Sequence, residues 1–344
     1  MIDRRNRNRV GEVVLVMGAV FFWLGGCGGS VGALGPLGVN NEQLGRRMRE
    51  VLYSAAVGQE AALRSNALES LALLDELEVP EVIRKGLHDK EVVVRFAAAV
   101  AAGDRKDYTA RHLLEKLLWD KSDAVKLAAG YALERLGDKR FGKWFDAALM
   151  GSDPQLAAQS CMLLGKLGVS EYRQDSAVKL WQVLRQPGQQ VAVKLQSAEA
   201  LARLGDKKIL RKLLAYAGSG YADDRLMTIA GLEAIGGVDV AAMLTVLVED
   251  SQIEVQLAAV RALGPRQTGD MERQMARQAM RYVDSEGDAL ATERVRGLAV
   301  LALGRVGEDE DGRLLYKAMG TESAYVRLAA ARGAIDFLRQ RRAL

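Results

Sequence analysis

The 344-residue chain is short of the residues that build cross-linked or catalytic sites. Its two cysteines, Cys27 and Cys161, can assemble neither a disulfide framework nor a cysteine-rich metal site. Only two histidines, His88 and His112, are present, and no serine or cysteine has a plausible histidine base nearby. There is no glycine-rich phosphate loop and no nucleophile elbow. Proline is rare, at five residues, and β-branched runs are few, which leaves helix as the favoured local structure for a chain rich in Ala and Leu. An excess of one charge is missing too: 48 basic and 44 acidic residues are interspersed, and a net charge of +4 does not by itself imply nucleic acid or a membrane surface as partner.

The amino end differs from the rest. Arg4, Arg5, Arg7 and Arg9 precede an uncharged apolar run from Val13 to Leu24, and Leu24-Gly25-Gly26-Cys27 follows directly. A basic region, a short apolar core and small residues before a cut site describe a secretory signal. The closing tetrapeptide resembles the lipobox of bacterial lipoproteins. That resemblance implies cleavage before Cys27, acylation of its thiol and amine, and a lipid anchor. A retained membrane-spanning anchor and an ordinary cut signal are the alternatives, although an apolar run of about 12 residues is short for a span. Residues 1–26 are thus expected to be signal peptide, and residues 27–41, with no helical period, a lipidated cysteine and flexible tether.

From there the chain is repetitive. Taking Leu63, Val94, Val125, Leu156, Val193, Asp224, Val255, Val295 and Val326 as anchors, six of the eight intervals are 31 residues and two are longer, 37 and 40. Four residues beyond every anchor stands a small residue, from Ala67 and Ala98 through Ser160, Ser197 and Thr228 to Ala330. Positions eight and eleven beyond are mostly leucine, so offsets 0, 4, 8 and 11 trace one face of a helix. Gly137, Gly168, Gly205, Gly236 and Gly307 fall where a left-handed carboxy-terminal cap would want glycine. Room for a second helix lies between successive anchor helices, as in Arg111–Leu118 and Phe141–Met150, and one more precedes the first. A hairpin of this size cannot enclose its own apolar face, so each must stack on the next. The pattern predicts an all-α fold over residues 42–344, an α-solenoid of about nine antiparallel helix pairs.

The recurring V-[RK]-x-x-A-x-x-A-L-x-x-L-G, with Asp89 and Asp120 six before Arg95 and Lys126, resembles the HEAT repeat, particularly its short phycobilisome-lyase variety. The resemblance implies a hydrogen-bonded Asp–Arg ladder between adjacent repeats, on helices lining a concave surface. The basic position is held by Arg64, Arg95, Lys126, Lys194, Arg225, Arg296 and Arg327, while Ala157 and Gln256 lack the charge, which predicts interruptions in the middle and near the seventh repeat. One HEAT-like family is an iron hydroxylase with paired His-Glu sites; neither histidine here is followed by glutamate. Fold-level likeness to lyases transfers no chemistry either.

Candidate partner contacts are Trp144, Trp181 and Tyr172 in the aromatic middle, and Asp284, Glu286 and Asp288 in the longest interval. The acidic loop lacks the EF-hand pattern, and no metal, cofactor or catalytic residue is expected. The reading is of a noncatalytic, monomeric scaffold that binds a protein partner along its surface. It meets the membrane through a lipid anchor, on the periplasmic face of the envelope, and takes neither nucleic acid nor a small-molecule substrate. Gly28 after the cysteine favours the outer membrane over the inner. The alternative is a noncatalytic subunit or specificity factor of an envelope enzyme or assembly complex.

Overall fold

A computed structural model of the chain describes residues 39–168 and 173–344. The signal segment, Cys27, the tether up to Gly38, and Tyr172 lie outside the described residues. Among these residues there are eighteen α-helices and no strand. One set is α1 (Asn41–Ala56), α3 (Val79–Gly86), α5 (Arg111–Leu117), α7 (Gly142–Met150), α9 (Arg173–Arg185), α11 (Leu210–Ala217), α13 (Val238–Val248), α15 (Asp270–Ala279) and α17 (Asp311–Ala318). These alternate with α2 (Ala61–Leu71), α4 (Val92–Asp104), α6 (Asp123–Arg135), α8 (Pro154–Leu167), α10 (Val191–Arg203), α12 (Ala222–Ile235), α14 (Ile253–Leu263), α16 (Ala289–Val306) and α18 (Ala324–Gln340). The even-numbered helices carry the repeating motif and pack on one another in succession, and the odd-numbered helices form an outer layer against them. The fold is an all-α solenoid of nine helix pairs.

The small residue four beyond each anchor is buried in every layer. Ala67, Ala98, Ala129, Ser160, Ser197, Thr228, Ala259, Ala299 and Ala330 are all fully buried. Where the residue is serine its hydroxyl is satisfied by the partner helix: Ser160 Oγ donates to the Phe145 carbonyl at 2.9 Å and Ser197 Oγ to that of Leu180 at 2.7 Å. A buried hydroxyl needs such an acceptor. Backbones touch most closely between α16 and α18, where a Cβ on Gly304 would stand 2.3 Å from the Gly333 carbonyl oxygen.

Gly137, Gly168, Gly205 and Gly236 do have positive φ. Gly307 does not. Its φ is −68° with ψ 152°, and the reason for glycine there is space, since a Cβ would meet the Leu303 carbonyl oxygen at 2.4 Å and Asp311 at 3.0 Å.

The stack does not end free. Helix α18 packs back on α1 and α2, and α17 also touches α1, so the first and last repeats join and the solenoid closes into a ring. At this seam Leu44, Met48 and Leu52 of α1 are buried together with Ile335 and Leu338 of α18, a Cβ on Gly45 would lie 3.7 Å from Leu338 Cδ1, and Arg47 Nη2 donates to the Met319 carbonyl at 3.3 Å. The even-numbered helices therefore face an enclosed centre in place of an open concave groove. Because every pair is antiparallel, one rim carries all turns within pairs and the other all turns between pairs, together with the start of α1 and the end of α18.

Candidate functional site

The basic column of the repeats lies at the within-pair rim. Arg64 Nε and Nη2 donate to both carboxylate oxygens of Asp89, at 2.8 and 2.9 Å. The same bidentate geometry joins Arg95 to Asp120 at 2.8 and 2.9 Å, and Arg225 to Asp250 at 2.6 and 2.7 Å. Each arginine also reaches back to the carbonyl six residues earlier: Arg64 to Gly58, Arg95 to Asp89 and Arg225 to Ser219, all at 2.9 Å. Each aspartate in turn accepts the backbone N–H two residues on, which fixes its turn. Burial works against the Asp89 and Asp120 carboxylates, but hydrogen bonds from the arginines and these backbone N–H groups hold both below the ordinary carboxylate range. At Asp250 the Arg225 hydrogen bond is the largest cause of the same shift.

Elsewhere the rungs differ. Lys126 pairs at 2.9 Å with Asp123 of its own helix, because the position 25 residues on is Gly151. For Lys194 that position is Ser219. Gln256 replaces the cation yet keeps the backbone half of the motif, donating to the Asp250 carbonyl at 2.5 Å. Arg327 does likewise to Thr321 at 2.7 Å, and Arg296 donates to the Tyr282 carbonyl at 2.8 Å. The arginines of the column are thus held by the protein's own turns.

The enclosed centre is the feature that the motif left unread. Tyr131 of α6 is fully buried and its hydroxyl donates to Asp104 of α4, whose other oxygen pairs with Lys166 of α8 at 2.8 Å. Lys166 and Asp104 thereby meet across the intervening helix. Glu69 of α2 sits in the fields of Lys166, Asp104 and Arg332 of α18; enclosure dominates and pushes its carboxyl up to about 7. Glu233 of α12 is raised in the same way, by burial first, against the fields of Arg261, Arg305 and Arg203. Asp336 of α18 moves in the opposite direction, because Arg332, Arg261 and Arg305 outweigh its burial. These residues stand six, nine or ten beyond their anchors. A charge at those offsets in an otherwise small or apolar helix was the available signal.

The candidate partner contacts are scattered. Trp144 is 39% exposed and stands edge-on to the buried Phe141, ring centres 5.4 Å apart. Trp181 is tied down, its Nε1 donating to Asp206 at 2.8 Å with the Arg185 guanidinium 4.9 Å over its ring. Asp284 accepts the N–H groups of Glu286 and Asp288 at 2.9 and 3.2 Å, which lower its pKa, and Asp288 caps α16. This acidic loop is closed on itself. Larger exposed aromatics are Trp119 at 89% and Tyr221 at 76%, both on the within-pair rim, and Tyr108 on the other. Cys161 is buried, its thiol pushed up to about 12 by that burial. Among the described residues no group of His, Cys, Asp and Glu could hold a metal ion, and no helix is long and apolar enough to cross a membrane.

Among curated proteins none matches the sequence. Solved structures match at low identity. Human deoxyhypusine hydroxylase in complex with glycerol is 15% identical, over 86% of this chain and 97% of that one, with a TM-score of 0.40. The CpcE and CpcF complex of phycocyanin lyase from Nostoc sp. PCC7120 is 18% identical over 74% of this chain and 98% of that one, with a TM-score of 0.42. Kap121p is 13% identical over 86% of this chain and 38% of that one, with a TM-score of 0.35. The family of HEAT repeats matches residues 50–134.

Proposed function

We propose that the protein is an exported, lipid-anchored helical-repeat scaffold that binds a protein partner on its outer surface and performs no catalysis of its own. The observation that supports this is how the repeats use their own surfaces. Charged side chains of the inner helices face one another at the ring centre, and the ladder arginines are held by turns, which leaves the outer helices and the rims for recognition. Trp119 and Tyr221 project from the within-pair rim, and such residues dominate interface hot spots. The Leu24-Gly-Gly-Cys27 sequence supports export, acylation of Cys27 and a place on the periplasmic face of the envelope, the outer membrane ahead of the inner. Affinity capture after crosslinking in intact membranes tests the scaffold reading: a stoichiometric protein is expected, and a capture that returns none would overturn it. Cys27→Ser should release the protein from membranes; full retention would contradict lipidation.

A further inference from the structure

The ring centre holds more cation than its own carboxylates match. Three of its acids are engaged: Asp104 takes Lys166 at 2.8 Å, Glu199 takes Arg203 at 2.6 Å and Asp336 takes Arg332 at 2.9 Å. Arg339 is held by the Leu73 carbonyl. That leaves Arg135, Arg261 and Arg305 facing Glu69 and Glu233. None of these five side chains makes a hydrogen bond or ion pair among the described residues, and the Nε of each arginine is buried without an acceptor. Enclosure raises both carboxyls, Glu69 to about 7 and Glu233 in the same direction, so neither supplies a full negative charge. The arginines make no matching adjustment, because a guanidinium stays protonated. A buried cation without a counter-charge is costly, and an anion from outside relieves it.

Arg261 and Arg305 belong together. They stand on adjacent inner helices, α14 and α16, and both act on Glu233 and on Asp336. Each is only half-buried, so solvent reaches it inside the ring. Arg305 lies toward the between-pair mouth, its Nε 3.8 Å from where a Cβ would stand on Gly264, the C-cap of α14. At the other mouth the charges are spoken for or open: Arg294 takes Glu254 at 2.5 Å, and Asp223 is exposed. Two guanidinium groups present two forks of donors. The two oxygens of a carboxylate fill one fork, whereas the three terminal oxygens of a phosphoryl group bridge both. We propose that Arg261 and Arg305 form a binding site inside the ring for a phosphoryl group, carried by inorganic phosphate or by a small phosphate monoester. The site goes beyond the scaffold reading and does not depend on it, since a partner on the outer surface and phosphate at the centre are separate measurements.

The test uses the full chain, with calorimetry and thermal melting in inorganic phosphate against chloride at equal ionic strength. Wild type should bind phosphate saturably and melt higher in its presence. Arg261→Gln/Arg305→Gln should weaken that binding ~10-fold or more. Because it removes unmatched cations, the double variant should melt no lower than wild type in chloride. Arg305→Lys keeps the charge without the fork and should weaken binding by less; it carries the comparison if circular dichroism shows the double variant misfolded. Absence of saturable phosphate binding to wild type overturns the site, as does wild-type affinity in the variants. Acetate bound as tightly as phosphate overturns the choice of a phosphoryl group. Glycerol 3-phosphate separates the two sources: tighter binding than phosphate assigns the site to a monoester, and equal or weaker binding assigns it to the free ion.

Discussion

Arg339 in the last helix donates to the backbone carbonyl of Leu73, 266 residues earlier in the chain. Contacts so distant in sequence cannot be won by neighbouring repeats stacking one by one, and they make the first and last pairs mutually dependent. Arg339→Ala should cost about 1–3 kcal/mol. Hydrogen exchange would show faster opening in α1, α2 and α18 with α8 and α10 unaffected. Uniform acceleration over the whole chain would mean that the seam is not a distinct unit.

Packing predictions follow from the closest backbones. Gly304→Ala would place a Cβ 2.5 Å from Gly333 Cα, so α16 and α18 must separate, at about 1–3 kcal/mol. Ala129→Arg inserts a long cation at a fully buried point and should lower the thermal midpoint by several degrees or more. Unchanged melting in either variant would contradict the layer geometry.

The ladder separates two kinds of lysine and arginine. Arg95 and Asp120 are both largely buried and bidentate, so Asp120→Asn leaves a poorly matched guanidinium and should cost about 2 kcal/mol in urea denaturation. Lys126→Ala removes an exposed pair within one helix and should stay within about 0.5 kcal/mol. Equal effects would show that the rung carries no special weight.

Glu69 supplies a pH dependence of definite sign. Its folded pKa is raised to about 7 from an ordinary 4.5, so the folded state holds this proton more tightly. That contribution is complete below about pH 4.5 and is lost as pH rises through 7. Between pH 8 and 5 the wild type should therefore gain stability, up to about 3 kcal/mol, and Glu69→Gln should flatten the gain. The ladder aspartates act in reverse below about pH 4, where protonation loosens their arginines. A Glu69→Gln profile parallel to wild type between pH 5 and 8 would place the titration elsewhere.

Cys161 offers a probe of local opening. Burial and a raised thiol pKa should leave it unreactive toward a disulfide reagent in the native state at pH 8, with reaction following denaturation. Rapid native-state labelling of this residue would mean that α8 opens readily.

The helical array was legible because its signal repeats: a small residue at one offset and leucine at another, multiplied along the chain, mark one buried face. Helix α7, for instance, begins at Gly142 where the pattern left room from Phe141, and both end at Met150. Curvature was not legible. It depends on small differences in how Gly103 or Gly165 admits the next helix, 2.7 and 2.9 Å approaches that no single copy announces. The ladder's turns could be placed from Asp89 and Asp120, whereas which charges at the inner offsets meet, as Lys166 meets Asp104 across α6, is set by the curvature of the stack. Gly307 shows the same limit in miniature, a glycine set by the crowding of Asp311 and read from sequence as a cap.

Closure also changes what the chain can become. An open solenoid can be lengthened by duplicating a pair, because the added unit meets the same two neighbours as the one it copies. Here a tenth pair would have to part α18 from α1 and Arg47 from the Met319 carbonyl, so the number of repeats is fixed by geometry. The same seam brings the described ends together at one rim, which suits the body to circular permutation: new termini cut in an exposed turn such as 265–267, with the old ends joined, should leave the helix interfaces in place.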